Sequence, residues 1–274
     1  MRVLVTSERD IASQTIRDVL IEEHGFRETG QTFEGHPVMS LNGSTLLVTS
    51  SRDLTMCDHL EEHFKSEVFV FCSRHRAQSG RPALLVHSTG NFGNEALFGG
   101  SPRQLSVSIA SLVSSALTRL QREQKERGLM NFDVTMEVTH HGPTSMETPL
   151  LFVELGSDEA CWRNREGARA VAAAALECTK EPITGDAAIG FGGTHYASKF
   201  TGLALAGSFR IGHIAPKYAL DDITDDVVHQ MVERAREKVS AALIDWKGTN
   251  AEQRARIMPM IDNLGLEIVR ARGA

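Results

Sequence analysis

The chain has 274 residues, of which 41% are hydrophobic and 23% are charged, and this is the composition of an ordinary globular protein. Its formal net charge of −6 argues against a generic nucleic-acid coat protein, and no apolar run approaches the ~18 residues of a membrane span. The N-terminal stretch MRVLVTSERD has too short an apolar run for a secretion signal, so we expect a cytoplasmic protein that does not enter membranes.

The cysteines are scattered along the chain without a C-x-x-C pair. They are Cys57, Cys72, Cys161 and Cys178. This spacing argues against a zinc ribbon or a disulfide scaffold and predicts buried, reduced thiols.

The N-terminal third of the chain predicts short strands and helices in alternation. Residues 2–6 are typical of a buried strand, and Asp10 is placed to cap a helix that Gly25 ends. Glycines break residues 26–50 into short β segments, which predicts a meander and a small β excursion from the main fold. Two apolar strands, EVFVFCS and PALLVHS, follow and end in polar loops, as strands of an α/β sheet do.

Helices and strands keep alternating to the C-terminus. Apolar residues at helical spacing predict a helix over residues 104–127, and the β segments FDVTMEVTHH and TPLLFVELG follow it. Further helices are predicted over residues 159–178, 225–239 and 250–264, and further strands in AAIGFGG, LALAGSFRIGHIAP and LEIVRA. Because no repeat or linker interrupts this pattern, we predict one α/β domain over residues 1–274, with a central mixed sheet flanked by helices.

Five loops at predicted strand ends combine histidine with glycine, serine, threonine or asparagine. They are SRHRAQSGRP at 73–82, HSTGNFGN at 87–94, HHGPTSMET at 140–148, GFGGTHYASKF at 190–200 and IGHIAPKY at 211–218. Ligands of open α/β sheets bind at the carboxyl ends of strands, so these loops should converge on one site if their strands run parallel.

The third of these loops carries two adjacent histidines. Alternation along a strand places Glu137 and His141 on one face and His140 on the other. We therefore expect His141 to point into the site with Glu137, and His140 to be partly a packing residue.

Two glycine-rich turns lie beside these histidines. The turn at Gly142-Pro143 is either an ordinary tight turn or one whose backbone N–H groups bind an oxyanion. In GFGGTHYASKF the glycines allow close approach of the backbone to a substrate, while His195 and Lys199 offer a base and a cation. The stretch fits neither a phosphate-binding P-loop nor a dinucleotide fingerprint.

Taken together, HRAQSG, HSTGN, HHGPTSMETPLLFVELGS, GFGGTHYASKF and GHIAPKY resemble the archaeal and plant type of D-aminoacyl-tRNA deacylase, and DWKG near the C-terminus fits as well. The resemblance extends over most of the chain. It implies hydrolysis of the ester between a D-amino acid and the tRNA 3′ adenosine, which recycles mischarged tRNA. It also implies a fold akin to purine nucleoside phosphorylase and peptidyl-tRNA hydrolase, and a monomer that contains zinc.

Hydrolysis of an activated ester requires a positioned water and a stabilised oxyanion. A histidine general base typically supplies about 10²–10⁴-fold and one oxyanion donor about 10²–10³-fold. We expect His141 or His195 to be the base, and backbone N–H groups at 142–144 or 192–194 to bind the oxyanion. Glu137 or Glu154 would orient the base or hold the substrate ammonium. The candidate catalytic residues are His141, His195, Glu137, Glu154, His140 and Thr144.

Zinc is the alternative activator, because it lowers the pKa of bound water to about 7. The sequence has no H-E-x-x-H or C-x-x-C spacing, so the ligands would come from separate loops. The candidate ligands are His87, His141 and His195.

The same loops are expected to bind the acceptor end of a tRNA that carries a D-amino acid. Aromatic residues such as Phe92 or Tyr196 are candidates for stacking on the terminal adenine, and the candidates for phosphate contacts are Arg74, Arg76, Arg81, Lys199 and Lys217. The other candidate substrate-binding residues are His87, Thr89, Gly90, Asn91, Gly142, Pro143, Gly192 and Gly193.

Two other hypotheses stay open on the sequence alone. One is a nucleoside phosphorylase-like or peptidyl-tRNA hydrolase-like enzyme of the same fold, which would not act on the D-aminoacyl ester. The other is a non-catalytic tRNA-binding module, whose tRNA affinity would survive replacement of His141 or His195 by alanine.

Overall fold

The computed structural model describes residues 1–271, in which strands and helices alternate along the chain. In chain order they are β1 (Arg2–Ser7), α1 (Ile11–His24), β2 (Arg27–Phe33), β3 (His36–Leu41), β4 (Thr45–Ser50), α2 (Leu60–His63), β5 (Phe69–Arg74), β6 (Ala83–His87), β7 (Gly90–Asn91), β8 (Gln104–Leu105), α3 (Ala110–Glu126), β9 (Asp133–Met136), β10 (Leu150–Gly156), α4 (Glu159–Trp162), α5 (Arg165–Glu177), β11 (Ala187–Phe191), α6 (Ser198–Leu205), β12 (Ile211–Ala215), α7 (Asp225–Glu233), β13 (Val239–Ile244), α8 (Ala251–Asn263) and β14 (Glu267–Arg270). Short 3-10 turns occur at Leu54–Met56 and Lys217–Ala219.

The larger sheet has eight strands in the order β2-β3-β4-β1-β5-β10-β6-β9. Strands β4, β1, β5 and β10 run parallel to one another, whereas β6 is antiparallel to β10 and parallel to β9. The segment predicted as a meander forms β2, β3 and β4, which pair antiparallel at one edge of this sheet.

The C-terminal strands form a second sheet, whereas the sequence predicted a single central sheet. Its four strands lie in the order β12-β11-β13-β14 and are parallel throughout. A third, two-stranded sheet joins β7 and β8. Strand partners are distant in sequence, so the local pattern predicted the strands without predicting that they divide between two sheets.

One apolar core connects the two larger sheets. Leu4 and Val70 from the eight-stranded sheet, Leu243 from the four-stranded sheet and Leu117 of α3 belong to the same buried cluster. Helix α3 packs on strands of both sheets. The backbone N–H of Thr139 also donates to the carbonyl of Ile214 at 3.0 Å, so the chain after β9 runs directly against β12.

Several predicted boundaries are confirmed and several are wrong. Asp10 caps α1 by accepting from the Ser13 N–H at 3.0 Å, and Gly25 ends that helix at φ +79°. The predicted helix over 225–239 ends at Glu233, and the next apolar run forms strand β13 instead. That strand is almost wholly buried, so it lacks the polar alternation that marks a half-exposed strand.

Two other helices also differ from their predictions. The helix predicted from residue 104 begins at Ala110, because Gln104 and Leu105 pair in β8. The helix predicted over 159–178 is two helices, and the Asn164 side chain caps the second by accepting from Gly167 N at 2.9 Å. The strand predicted in LALAGSFRIGHIAP is β12 alone, since its first residues belong to α6.

The predicted cysteine state is confirmed, since all four thiols are free and buried. None of the helices within residues 1–271 is long and apolar enough to cross a lipid bilayer.

Candidate active site

Three histidine rings line a cleft of about 380 Å³ where the loops after β6, β9, β11 and β12 meet. These rings belong to His140, His141 and His195, and their neighbours in the cleft include Gly90 and Asn91. The ring centroids of His140 and His141 are 4.4 Å apart, and those of His140 and His195 are 4.6 Å apart. Four of the five predicted loops therefore contribute to one place, including the loop at 211–218 through Tyr218.

Both adjacent histidines reach the cleft, so the prediction that strand alternation turns only His141 into the site and leaves His140 partly a packing residue is wrong. The side chains of the two histidines do not alternate between opposite faces of a strand, because β9 ends at Met136, before the histidines. Beyond it, His140 makes an isolated bridge with Thr89, and His141 takes a left-handed φ of +45°. The change in backbone direction turns both rings toward the same cavity.

Four buried groups lie behind the histidines of the cleft. They are His75, His87, Glu137 and Glu154, whose side chains are at most 7% exposed. His75 Nδ1 lies 3.3 Å from Glu137 Oε1 and 3.5 Å from Glu154 Oε2, and its Nε2 lies 2.9 Å from the Tyr196 hydroxyl. Glu154 also accepts from the Ser73 hydroxyl at 2.6 Å.

Glu137 connects this buried layer to the cleft. Its Oε1 lies 2.9 Å from Nε2 of His195, whose side chain is 39% exposed. Its other oxygen lies 4.0 Å from Nε2 of the fully buried His87. A buried carboxylate is thus placed against a histidine that solvent and substrate can reach.

Charge pairing sets the protonation of the buried layer. Burial alone would lower the pKa of His75, but Glu137 and Glu154 outweigh it and raise that pKa to about 11. Burial likewise opposes the charged form of His87, and Glu154 overcomes it to raise the pKa of that ring. Burial would raise the pKa of Glu137, yet His195 and His75 hold it well below its usual range. Glu137 is therefore an ionised carboxylate at neutral pH.

The adjacent histidines of the cleft are shifted the other way. Burial, with repulsion from His87, lowers the pKa of His141 to about 4 and holds that of His140 well below its ordinary value. Both rings are therefore neutral at pH 7. A neutral imidazole keeps one nitrogen lone pair, which a base or a metal ligand needs.

The hydrogen bonds of three histidines identify which nitrogen is free. Nδ1 of His140 donates to the Val138 carbonyl at 2.8 Å, and Nδ1 of His141 donates to the Gly142 carbonyl at 2.6 Å. Nδ1 of His87 donates to the Ser88 carbonyl at 3.1 Å. In the neutral rings of His140 and His141 this leaves Nε2 as the acceptor, which is the arrangement that metal-binding histidines have. Nε2 of His87 carries a proton that Glu154 favours, and a metal would displace that proton on binding.

Buried atoms without hydrogen-bond partners mark the same place. Among residues 1–271 they include His87 Nε2 and both carboxylate oxygens of Glu137, since the close His195 contact is not aligned as a hydrogen bond. Three sets of side chains offer ligand atoms within 4.8 Å of one another: His87, His140 and His141; Glu137, His140 and His195; and His75, Glu137 and Glu154. Histidine nitrogens and carboxylate oxygens are ligands that divalent zinc prefers, so the donors fit such an ion.

A family model described as D-aminoacyl-tRNA deacylase matches residues 62–269, which include every histidine and carboxylate of this cluster. The chain belongs to the D-aminoacyl-tRNA deacylase family. The resemblance drawn from the sequence motifs is therefore confirmed.

Relatives of this deacylase family match the chain from end to end. The D-aminoacyl-tRNA deacylase of Thermococcus onnurineus is 36% identical over 282 residues, covering 98% of this chain and 100% of that protein. The Pyrococcus horikoshii protein of that name is 36% identical over 280 residues, with coverage of 98% and 100%. The Methanosarcina acetivorans protein, also of that name, is 34% identical over 275 residues, with coverage of 97% and 91%. These matches do not favour a phosphorylase, a peptidyl-tRNA hydrolase or a binding module.

A solved structure supports the fold of this deacylase chain. The crystal structure of a conserved protein of unknown function superposes with a TM-score of 0.90 at 30% sequence identity, covering 99% of this chain and 95% of that one. The predicted α/β fold with a large mixed sheet flanked by helices is confirmed.

In the two turns predicted to bind the oxyanion of a deacylase, the N–H groups of four residues are already in use, so the prediction is wrong for those four groups. Gly142 N donates to Phe98 O at 3.1 Å, and Thr144 N donates to Asp58 Oδ1 at 3.0 Å. Gly192 N donates to Ala215 O at 2.8 Å, and Gly193 N donates to Gly248 O at 3.1 Å. These turns hold neighbouring loops together, and Pro143 has no N–H to offer.

Thr144 is also separated from the deacylase cleft. It is buried, and its hydroxyl donates to Gln104 Oε1 at 2.9 Å and accepts from Ser101 N at 2.9 Å. A hydroxyl with both roles occupied is structural, so the placement of Thr144 in the catalytic set is wrong. Thr89 lies close to the cleft, but its hydroxyl donates to Pro143 O at 2.6 Å and supports that turn.

The predicted tRNA-binding cations divide into two groups. Arg74 turns away from the deacylase cleft, because it donates to Arg9 O at 2.9 Å and lies over the Trp162 ring. Arg76 is exposed and does not line the cleft. Lys199 and Lys217 instead line a separate pocket on the other side of the loop that carries His195 and Tyr196.

His75 belongs to the cluster but was not among the site residues predicted from the sequence. Its loop was recognised, but only the arginines in it were assigned a role. The signal available was a histidine one residue after the apolar strand β5, whose parallel neighbour β10 carries Glu154.

Proposed function

We propose that this protein hydrolyses the ester bond of D-aminoacyl-tRNA, releasing free tRNA and a D-amino acid. The observation that carries the proposal is the contact between Glu137 and His195, in which a buried carboxylate lies 2.9 Å from a ring at the cleft surface. Family membership supplies the substrate class. A carboxylate behind an accessible histidine is the arrangement of an oriented general base.

In this mechanism His195 takes a proton from the attacking water. The negative Glu137 carboxylate, 2.9 Å from Nε2, favours a proton on that nitrogen by its charge, so the opposite nitrogen takes the proton from water and the carboxylate stabilises the imidazolium that forms. His75 balances the charge of Glu137 and Glu154, which keeps both ionised inside the protein. The proton then passes from His195 to the departing ribose oxygen of the terminal adenosine.

We further propose zinc as the resident metal, held by His87, His140 and His141. Their three Nε2 atoms are the nitrogens left over in rings whose Nδ1 atoms donate to backbone carbonyls, and His87 would release its Nε2 proton when the metal binds. Zinc held by these three histidines would supply a Lewis acid, which typically lowers the pKa of water to about 7 and polarises a carbonyl group. His87 and His141 were predicted ligands, and His140 takes the place that the sequence analysis gave to His195.

The remaining expectations belong to this proposal. We propose that the substrate is the acceptor end of a tRNA that carries a D-amino acid, that a monomer binds it, and that the protein acts in the cytoplasm. Gly90 and Asn91 line the cleft in which the ester would lie.

The function is tested with tRNA charged by D-tyrosine or by L-tyrosine. We expect rapid loss of the D-tyrosyl ester and little loss of the L-tyrosyl ester above the rate without protein. Equal and negligible loss of both esters would contradict the proposed activity.

The metal is tested by elemental analysis, independently of activity. The purified protein should contain about one zinc per chain, and the H140A variant should contain much less. H213A is the matched control, because His213 has no part in the cluster and should leave the zinc content unchanged. Wild-type protein that hydrolyses the ester at full rate after verified metal removal would contradict a role of zinc in the reaction.

A further inference from the structure

A second pocket lies at the carboxyl ends of three adjacent strands of the four-stranded sheet. It has a volume of about 330 Å³ and is lined by residues that follow β11, β12 and β13. Three lysines reach it from three separate segments: Lys199 from α6, Lys217 after β12 and Lys247 after β13.

The topology of the sheet makes this position a favourable binding site. Strand β11 is central, with β12 on one side and β13 on the other, so the chain reverses its direction of winding at β11. In open parallel sheets, the crevice outside such a reversal point is where ligands bind. The pocket occupies the crevice between the loops that follow these strands.

The walls of the pocket are built by hydrogen bonds between the loops. Lys217 N donates to Gly193 O at 3.0 Å, and Gly193 N donates to Gly248 O at 3.1 Å. Gly248 allows this close approach, because a Cβ there would lie 2.6 Å from Gly193 N and 2.4 Å from Asp245 Oδ2. The backbone that presents Lys217 and Lys247 is thus held in place before any ligand binds.

The pocket carries a net positive charge in a protein whose total charge is negative. Asp245 forms an ion pair with Lys199 and accepts from Gly248 N at 2.9 Å. Lys217 and Lys247 are exposed, and neither pairs with a carboxylate within residues 1–271. Three ammonium groups face one carboxylate, which leaves an excess of two positive charges. Such a pocket suits a phosphate group, which is negatively charged and accepts hydrogen bonds from ammonium groups.

One loop separates this pocket from the cleft lined by His140, His141 and His195. Thr194 and Tyr196 line the lysine pocket, while His195 between them lines the catalytic cleft. Tyr196 also contacts His75 through its hydroxyl, at 2.9 Å. A nucleotide whose ester lies at His195 would therefore have its backbone within reach of the lysine pocket.

We propose that Lys199, Lys217 and Lys247 form the binding site for backbone phosphates of the tRNA acceptor end. The site rests on the proposed deacylase function, because it would anchor the nucleotides next to the hydrolysed ester. It adds Lys247 to the residues predicted from sequence, and it assigns binding to this pocket instead of to Arg74 and Arg76.

The test compares the double variant K217Q/K247Q with K65Q/K125Q. The control also removes two positive charges, but from exposed lysines that line neither the lysine pocket nor the histidine cleft. Binding of uncharged tRNA is measured over a range of salt concentrations, and the KM and kcat are measured with D-tyrosyl-tRNA. A second substrate, the D-tyrosyl ester of adenosine, has the same ester but carries no phosphate.

For K217Q/K247Q we expect uncharged tRNA to bind about tenfold more weakly, and the slope of log affinity against log salt to fall by about 1.4, or about 0.7 for each lost contact. The KM for D-tyrosyl-tRNA should rise by a similar factor with little change in kcat. Hydrolysis of the adenosine ester should be unchanged, and K65Q/K125Q should behave as wild type throughout.

Two results would overturn the proposal. One is equal binding of uncharged tRNA by K217Q/K247Q and K65Q/K125Q. The other is selective loss of inorganic phosphate binding in K217Q/K247Q while tRNA binding stays intact, which would identify a site for a free anion. Because the binding measurement requires no turnover, a wild-type protein that hydrolyses no ester would contradict the proposed function and leave the test of this pocket valid.

Discussion

The molecule buries histidines in two contrasting environments. His213 in β12 has neutral partners on both nitrogens, with Nε2 3.1 Å from Ser106 O and Nδ1 3.2 Å from the Thr139 hydroxyl. His75 and His87 are equally buried, but they face Glu137 and Glu154. The first environment fills the hydrogen-bonding capacity of its ring, whereas the second leaves His87 Nε2 and the Glu137 oxygens unpartnered.

This difference in hydrogen bonding distinguishes His213, which has a structural role, from His75 and His87, which belong to the functional site. Burying an ionised group without full pairing is costly, so an arrangement of this kind indicates that a substrate, a metal or a proton is expected there. The stretch IGHIAPKY appears as histidine-rich as the other four loops, yet its histidine serves the core. The predictions below test whether the two environments really differ in this way.

Replacement of Glu137 by glutamine should have the largest effect. The amide keeps the volume of the side chain but loses the charge that orients His195, so we expect kcat to fall by about 10²–10⁴-fold with little change in KM. Steady-state hydrolysis of D-tyrosyl-tRNA measures this. The exposed Glu147→Gln is the control and should match wild type. A kcat within threefold of wild type in E137Q would remove Glu137 from the mechanism.

His75→Gln should mainly reduce stability. The change removes the cation that lies between two buried carboxylates, and breaking a buried ion pair from one side typically costs about 3–5 kcal/mol in the free energy of unfolding. Urea unfolding at pH 7 measures the loss. His229→Gln, on the surface helix α7, should stay within about 0.5 kcal/mol of wild type. Equal midpoints for H75Q and H229Q would show that His75 does not balance the carboxylates.

His213 should give a smaller effect that depends on pH. Burial lowers the pKa of His213 to about 4 in the folded protein, below its ordinary value of 6.5. The unfolded chain therefore binds this proton first, so the stability from His213 is present above pH 6.5 and is lost as the pH falls toward 4. The loss from this ring reaches up to about 3 kcal/mol, at about 1.4 kcal/mol for each pKa unit.

The measurement is the difference in unfolding free energy between wild type and H213Q at pH 7.5 and at pH 5. The difference should shrink at the lower pH, because the variant has no imidazole to titrate. A difference that stays constant between the two pH values would mean that His213 is not held neutral by the fold.

Much of the fold could be predicted because its elements carry strong local signals. Asp10 and Gly25 mark the ends of α1, and apolar periodicity located α3 to within a few residues. The division into two sheets could not be predicted, since the register between distant strands leaves no local pattern. Strand β13 was missed for a related reason, because a fully buried parallel strand has no polar alternation to distinguish it from a helix.

The loops that form the site could be predicted from the sequence, but the orientations of their side chains could not. The convergence of His87, His140, His141 and His195 followed from polar loops at strand ends. The role of His140 did not, because the strand ends before the pair and strict alternation fails. The backbone N–H groups at Gly142 and Gly193 looked available in the sequence, and only the tertiary structure revealed the carbonyls that occupy them.

The central claim is that the histidines beside buried carboxylates carry the chemistry and that His213 does not. Its most direct test is single-turnover release of D-tyrosine from D-tyrosyl-tRNA by H195A and H213Q with the protein in saturating excess. We predict a rate about 10²–10⁴-fold below wild type for H195A and a rate within threefold of wild type for H213Q, while both variants bind uncharged tRNA normally. A wild-type rate in H195A, or an equal loss in both folded variants, would contradict the claim.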